Sequence, residues 1–234
     1  MKLIALETST QRLSAALWLD GHIIERSEDV PNGGSERLLP WVNTMLAEAG
    51  MGFRDIHGIA FGAGPGGFTG LRLACGVAQG LAFGLDLPVL AVSSLEALAL
   101  SAQRQSAGVE HLFACIDARM GEVYCAAYRI RDEVSVTLMA PVVCAPQSAG
   151  VPSCPDAPKW IGCGRGFVAY PELLKGDLAE VRSHVWPTAA AVARLGAPRL
   201  AAREGVPAAM ASPMYLRDKV ALTTAERLAR GGLR

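Results

Sequence analysis

Apolar residues along the chain change spacing several times, and each change marks an element. Lys2 to Leu6 is a short apolar run that reads as a buried strand. Leu13 to Leu19 and His22 to Arg26 form a hairpin across Asp20-Gly21, a dipeptide that takes the left-handed angles of a tight turn. Three antiparallel strands therefore open the chain. From Ser35, a residue suited to capping, Leu38, Leu39, Val42, Met45, Leu46 and Ala49 follow helical spacing until Gly50, with Pro40 expected to kink the first turns. Ile56 to Phe61 is the next strand, followed by a loop from Gly62 to Gly70 and a helix from about Leu71 to Phe83. Val89 to Val92 is a strand, and Ser93-Ser94-Leu95-Glu96 is a capping box that starts a helix to about Gln105. Strands alternating with helices predict an α/β protein with a mixed sheet covered by helices.

The second half begins like the first. Phe113 to Asp117 lies over Leu3 to Glu7, and Val123 to Ala127 over Leu13 to Leu17, without a gap. Both copies read as strand, acid at the strand end, bend, strand; an internal repeat and two ordinary hairpins fit this pattern equally. The five prolines between Pro141 and Pro158 mark that stretch as a linker or sheet edge. Structure resumes at Trp160-Ile161-Gly162 with a second glycine-rich bend to Gly166. Thr188 caps a helix to about Leu195, and Pro213-Met214-Tyr215-Leu216-Arg217 precedes a last amphipathic helix.

Composition narrows the partners. The 234 residues are 51% apolar and only 19% charged, so apolar surface must be covered by helices or by another protein. Lys+Arg and Asp+Glu balance at 22 each and form no basic block, which argues against strong nucleic-acid binding by the chain alone. The first apolar run is too short for a signal peptide, and Leu71 to Leu85 is interrupted by Arg72 and Gln79, so a cytoplasmic protein without a membrane span is expected. Six cysteines without a Cys-x-x-Cys pair read as small buried thiols, with neither a zinc cluster nor a disulfide frame expected.

Gly62, Gly64 and Gly67 spell Gly-x-Gly-x-x-Gly between a strand and a helix, where backbone amides can cradle phosphate. The following strand ends in Val92-Ser93-Ser94 rather than in a ribose-binding acid, so the nicotinamide reading fails. Phe68 stands where a P-loop would have lysine. Phosphate binding and a plain tight turn both remain open. The helix from Leu71 to Gly84 is apolar or small on nearly every face, and Gly76, Gly80 and Gly84 strip one face bare for close helix approach; burial within the domain and a helical partner both fit, the partner better. No catalytic grouping can be read off. Glu7 and Asp117 are acids at repeated strand ends that could hold magnesium and phosphates, or cap their own bends.

Ala5-Leu6-Glu7-Thr8-Ser9-Thr10, Gly62 to Arg72, Asp117-Ala118-Arg119-Met120-Gly121-Glu122-Val123-Tyr124 and Pro213 to Arg217 together resemble the TsaB family. The resemblance implies an actin-like (ASKHA) fold of two ribonuclease H-like lobes with mixed sheets: residues 1–106, joined by a helix near 219–234, and a smaller lobe at 107–218. It implies a non-catalytic subunit of tRNA threonylcarbamoyladenosine synthesis that forms a heterodimer with TsaD and activates it. TsaE joins, tRNA is reached only through the complex, and both a homodimer and a monomer fit the chain when it is alone. Partner contacts are expected at Leu38, Val42, Met45, Arg72, Ala74, Val77 and Leu81. No cofactor is required by the chain itself. ATP or ADP at the partner interface would be held by Thr8, Ser9, Gly62, Gly64, Gly66 and Gly67. The catalytic relative's metal-binding histidines fall at Ser94 and Leu98 here, so no metal and no transfer activity are expected. Gly34, Ala63 and Gly67 depart from residues frequent in the family. A small-molecule kinase is the alternative from another class, and a glycoprotease-like peptidase the weaker one.

Overall fold

The computed structural model describes residues 1–30, 34–106, 108–154, 160–173 and 177–217. The expected helix near 219–234 lies outside the described residues.

The opening strands form as their pattern predicts: β1 (Lys2–Glu7), β2 (Arg12–Leu19) and β3 (His22–Asp29). Asp20 at φ 50° and Gly21 at φ 101° make the β2–β3 turn. Next come α1 (Ser35–Glu48), β4 (Gly58–Gly64), α2 (Phe68–Leu85), β5 (Val89–Ser93) and α3 (Ser94–Gln103). The second half supplies β6 (His111–Arg119), β7 (Glu122–Arg131), β8 (Val134–Cys144), β9 (Ile161–Cys163), α4 (Gly166–Ala169), β10 (Glu180–Arg182) and α5 (Ala189–Ala201).

The caps differ in part from expectation. Gly34, at φ 93°, takes the N-cap position of α1, and Ser35 is already helical. Ser93 caps α3 by accepting the Glu96 backbone N–H at 3.4 Å. Thr188 caps α5 through the Ala191 N–H at 3.1 Å, and that helix runs through Pro198 to Ala201, past the expected end. Two neighbouring amides of α5 are satisfied from the first sheet: Ser14 Oγ accepts from Ala189 at 2.9 Å and Glu25 Oε1 from Ala190 at 2.8 Å.

Each half builds one five-stranded sheet, in the orders β3-β2-β1-β4-β5 and β10-β9-β6-β7-β8. Read from the hairpin edge these orders correspond strand for strand, with antiparallel pairs followed by two parallel ones in both. The internal repeat is therefore structural, and it is the actin-like arrangement. The gapless overlay, however, is off by one. Glu7 pairs with Ser14, whereas Asp117 pairs with Val123, and an irregularity between Asp117 and Arg119 absorbs the difference. A one-residue shift reverses the facing of every side chain on a strand. Leu3 and Ala5 share the inter-sheet core with Leu112, Ala114 and Ile116, so Glu7 corresponds to Ile116 rather than to Asp117.

The sequence division into lobes is crossed by two helices. α3 lies chiefly on β6 and β7, while α5 lies on β1, β2, β4 and β5; the two helices also pack on each other. Their side chains make one continuous core between the sheets. On the outer face of the first sheet, α1 and α2 cover a second core, and α4 covers a third on the second sheet.

Among the described residues α2 alone is long and apolar enough to cross a membrane by length and composition, at a mean hydropathy of 1.3, which is weak evidence. Its Leu71, Ala74, Cys75, Ala78 and Ala82 stripe is buried against the first sheet. Burial within the domain covers this stripe alone; the opposite face of the helix is open.

Candidate functional site

The glycine loop is shaped around the bend that follows β1. Glu7 is fully buried, its Oε1 accepting the Ser9 N–H at 2.6 Å and its Oε2 the Ser94 hydroxyl at 2.9 Å. Ser94 in turn accepts the Gly64 N–H at 3.2 Å. A Cβ at position 62 would sit 1.9 Å from Glu7 Oε2, one at 66 would sit 2.4 Å from Ser9 O, and one at 70 would sit 1.9 Å from Thr8 O. Gly67 N–H donates to Ser9 O at 2.7 Å, and Thr8 Oγ1 to Gly70 O at 2.5 Å. Glycine at 62, 66 and 70 thus lets backbone approach backbone and the buried carboxylate. Burial pushes the Glu7 carboxyl above its ordinary range, against the hydrogen bonds from Ser9 and Ser94.

Asp117 stands apart from this network. Its Oδ1 accepts the Arg119 N–H at 2.8 Å and its Oδ2 lies 3.2 Å from the Arg119 guanidinium, so it caps its own bend. Ser94 and Leu98, the places of the catalytic relative's histidines, are both fully buried. Among the described residues no three His, Cys, Asp or Glu side chains gather as a metal site would need.

The segment after α5 straps the lobes together. Ala211 O accepts from Gln79 Nε2 at 3.0 Å, Met214 N–H donates to Ala63 O at 2.7 Å, and Tyr215 OH meets Arg72 Nε at 3.2 Å. Arg217 then reaches the second lobe, donating to Ala118 O at 3.2 Å and pairing with Glu122. Two of the stretches that resemble the family, Asp117 to Tyr124 and Pro213 to Arg217, are thereby joined in space.

Between the lobes lies a cleft of about 800 Å³. The first lobe contributes Thr8, Ser9, Gly66, Gly67 and the N-terminus of α2, whose Gly67 cap makes no side-chain hydrogen bond. The second contributes Asp117, Arg119, Arg165 and Trp186, with the Arg165 guanidinium 5.0 Å from the Trp186 ring centre. Gly62 and Gly64 lie behind this wall and do not line it. Asp117 and Arg119 belong to the hairpin motif and Arg165 to the second glycine-rich bend, whereas Trp186 carried no sequence signal.

A separate apolar groove of about 400 Å³ runs between α1 and α2, lined by Leu39, Arg72, Leu73, Gly76, Val77, Gly80 and Leu81. Nothing lies within 4 Å of where a Cβ would stand at Gly76, Gly80 or Gly84, so the glycine face is bare. Phe83 beyond it is 84% exposed. Of the expected partner contacts, Arg72, Val77 and Leu81 line this groove. Leu38, Val42, Met45 and Ala74 do not: each is fully buried in the core under α1 and α2. Residues 38, 42 and 45 repeat at the spacing that faces one side of a helix, and that side is the sheet; Leu39, one step round, faces out at 45% exposure.

The comparisons with known proteins agree with this geometry. The chain is 36% identical over 225 residues to an Escherichia coli protein named tRNA threonylcarbamoyladenosine biosynthesis protein TsaB, covering 94% of this chain and 96% of the relative. The chain belongs to the TsaB family. A Haemophilus influenzae TsaB is 33% identical, with 94% of this chain and 95% of the relative covered. A family model described as TsaD, tRNA N6-adenosine threonylcarbamoyltransferase, matches residues 30–161, which places the TsaB family beside the transferase in sequence. The structure of YeaZ from Pseudomonas aeruginosa superposes with a TM-score of 0.85 at 40% identity, covering 92% of this chain and 99% of that one. A second Pseudomonas aeruginosa structure, described as similar to peptidase YeaZ, gives 0.86 at 39% with the same coverage. TsaB-family membership and the two-lobed fold therefore stand together on sequence, topology and superposition.

Proposed function

We propose that the chain is a non-catalytic subunit of tRNA threonylcarbamoyladenosine biosynthesis, docking on TsaD through the α1–α2 groove and activating it. The relatives' names supply the pathway, and the bare groove carries the docking role. An apolar channel floored by Gly76 and Gly80 fits a helix packed close against α2. TsaE joins this complex, tRNA is reached only through it, and the chain works in the cytoplasm. Without TsaD the same groove serves a second copy of the chain.

The acids support the non-catalytic reading over a kinase or peptidase. Glu7 is absent from the cleft wall and held by Ser9 and Ser94, and Asp117 caps its own bend. No pair of free carboxylates faces the cleft from these two positions to share a magnesium ion. ATP or ADP in the assembled complex would meet this chain at Thr8, Ser9, Gly66, Gly67 and the α2 N-terminus, the end of a helix that favours phosphate.

Reconstitution from purified components tests the reading: tRNA, threonine, bicarbonate, ATP and the other subunits, with the chain present, omitted or supplied alone. Modified tRNA that requires both TsaD and this chain is expected. Product formed equally well without the chain, or phosphate transfer by the chain alone, would contradict it.

A further inference from the structure

Four of the six cysteines converge on the outer core of the second sheet: Cys115 and Cys125 are buried in it, and Cys144 and Cys154 pack against it half-exposed. All are free thiols. Cys125 Sγ and Cys144 Sγ lie 3.8 Å apart, each within hydrogen-bond reach of the other. Elsewhere the thiols of Cys75 and Cys163 are spent on backbone carbonyls, of Ala211 and Phe113, both at 3.7 Å. Cys115 is pinned from above, since a Cβ on Gly166 would come within 2.3 Å of its sulfur.

The strands allow the pair to close. Val123 is opposite Cys144 and Cys125 opposite Val142, which makes the two cysteines diagonal neighbours on one face of β7 and β8. A disulfide needs its sulfurs at about 2 Å, hence a shift of about 1.8 Å. β8 is the edge strand of its sheet, paired on one side only, and the β7–β8 ladder is already irregular just past Cys125. An edge strand can make that shift without breaking a second ladder.

We propose that Cys125 and Cys144 are a reversible modification site, forming an intrachain disulfide by exchange with a low-molecular-weight disulfide. The half-exposed Cys144 attacks one sulfur of the small disulfide, which releases one small thiol and leaves a mixed disulfide on Cys144. Cys125 then attacks the Cys144 sulfur and expels the second small thiol. Two protein thiols are oxidised, one small disulfide is reduced, and the two protein protons leave on the two small thiols. Burial pushes the Cys125 thiol above its ordinary range, so the second exchange is the slow one and the mixed disulfide accumulates first. The product links β7 covalently to its edge strand.

The test uses the full chain bearing Cys154→Ser, so that the tryptic peptide carrying Cys144 holds a single thiol, incubated with oxidised glutathione at pH 8.5. Expected is a transient glutathione adduct on Cys144, then loss of two hydrogen masses and a crosslinked peptide joining Cys125 to Cys144. Dithiothreitol reverses it. Cys125→Ser added to this chain halts at the adduct, with its thermal midpoint checked to show that it folds. A Cys144 adduct that never resolves in the Cys154→Ser chain, a crosslink to another cysteine, or failure to react at all would each overturn the proposal.

Discussion

The Glu7 carboxylate occupies the space in which a side chain at position 62 would begin, with Glu7 Oε2 lying 1.9 Å from a Cβ built there. A glycine in a phosphate-loop pattern is thus accounted for by a neighbouring acid. Gly62→Ala is expected to destabilise the chain by about 3 kcal/mol, the upper part of the range for overpacking, because both the carboxylate and the Ser9 and Ser94 bonds must move. Urea denaturation would measure this, and removing Glu7 as well, in Glu7→Ala/Gly62→Ala, should cost less than the two single changes summed.

Glu7 also sets a pH dependence. Its folded-state value is raised above 4.5 by burial, so the native state holds this proton more tightly than the unfolded chain does. Stability from this group is fully present below about pH 4.5 and is lost as pH rises through the folded value. Glu7→Gln, which keeps the shape and stays neutral, should therefore gain on the parent protein as pH increases from 4.5 toward neutrality. Urea midpoints of both across that range would show the gap widening; a constant gap would contradict the assignment.

The strap makes a separate prediction. Arg217 holds the second lobe through Ala118 O and Glu122, the latter 39% exposed, which discounts the ion pair. Arg217→Ala should cost only about 1 kcal/mol. Amide exchange should nonetheless quicken in the β6–β7 bend, which this side chain holds, and in the strap whose end it anchors, while β1 to β3 stay unchanged.

Adjacent leucines on α1 should behave oppositely. Leu38 is fully buried and Leu39 is 45% exposed. Leu38→Ala is expected to lower stability by about 2 to 5 kcal/mol, whereas Leu39→Asp leaves the thermal midpoint nearly unchanged and weakens TsaD binding at least tenfold. Calorimetric unfolding and titration with TsaD separate the two.

Much of this arrangement was legible in the chain, and its failures have physical causes. Strands β1 to β3 and the α2–β5–α3 run announce themselves because periodicity, turn residues and caps agree. β8 was hidden because its end, from Pro141, falls in the proline-rich stretch that reads as a linker and its edge position leaves Val134, Val136 and Val142 exposed. β10, of three residues, offers too few positions for any period. Local pattern cannot show a one-residue bulge, so Asp117 was matched to Glu7. Nor can it show that α3 and α5 cross over to cover opposite sheets, which depends on contacts distant in sequence. Helical spacing revealed that α1 and α2 each have an apolar face, but Leu39 lies one step outside that of α1 and α2 is apolar or small on both sides, so only the packed sheet decides that Leu38, Val42, Met45 and Ala74 turn inward while Leu39, Val77 and Leu81 line the groove.

The central claim is that the glycine-floored groove receives TsaD, and Gly76→Ala/Gly80→Ala tests it most directly. Neither position has an atom within 4 Å of the new Cβ, and each replacement in a helix should stabilise the isolated chain by about 0.8 to 1 kcal/mol. The measurement is affinity for purified TsaD by titration calorimetry, alongside the thermal midpoint of the chain alone. The account predicts a higher midpoint together with a loss of affinity of at least tenfold. A higher midpoint with undiminished affinity would contradict it.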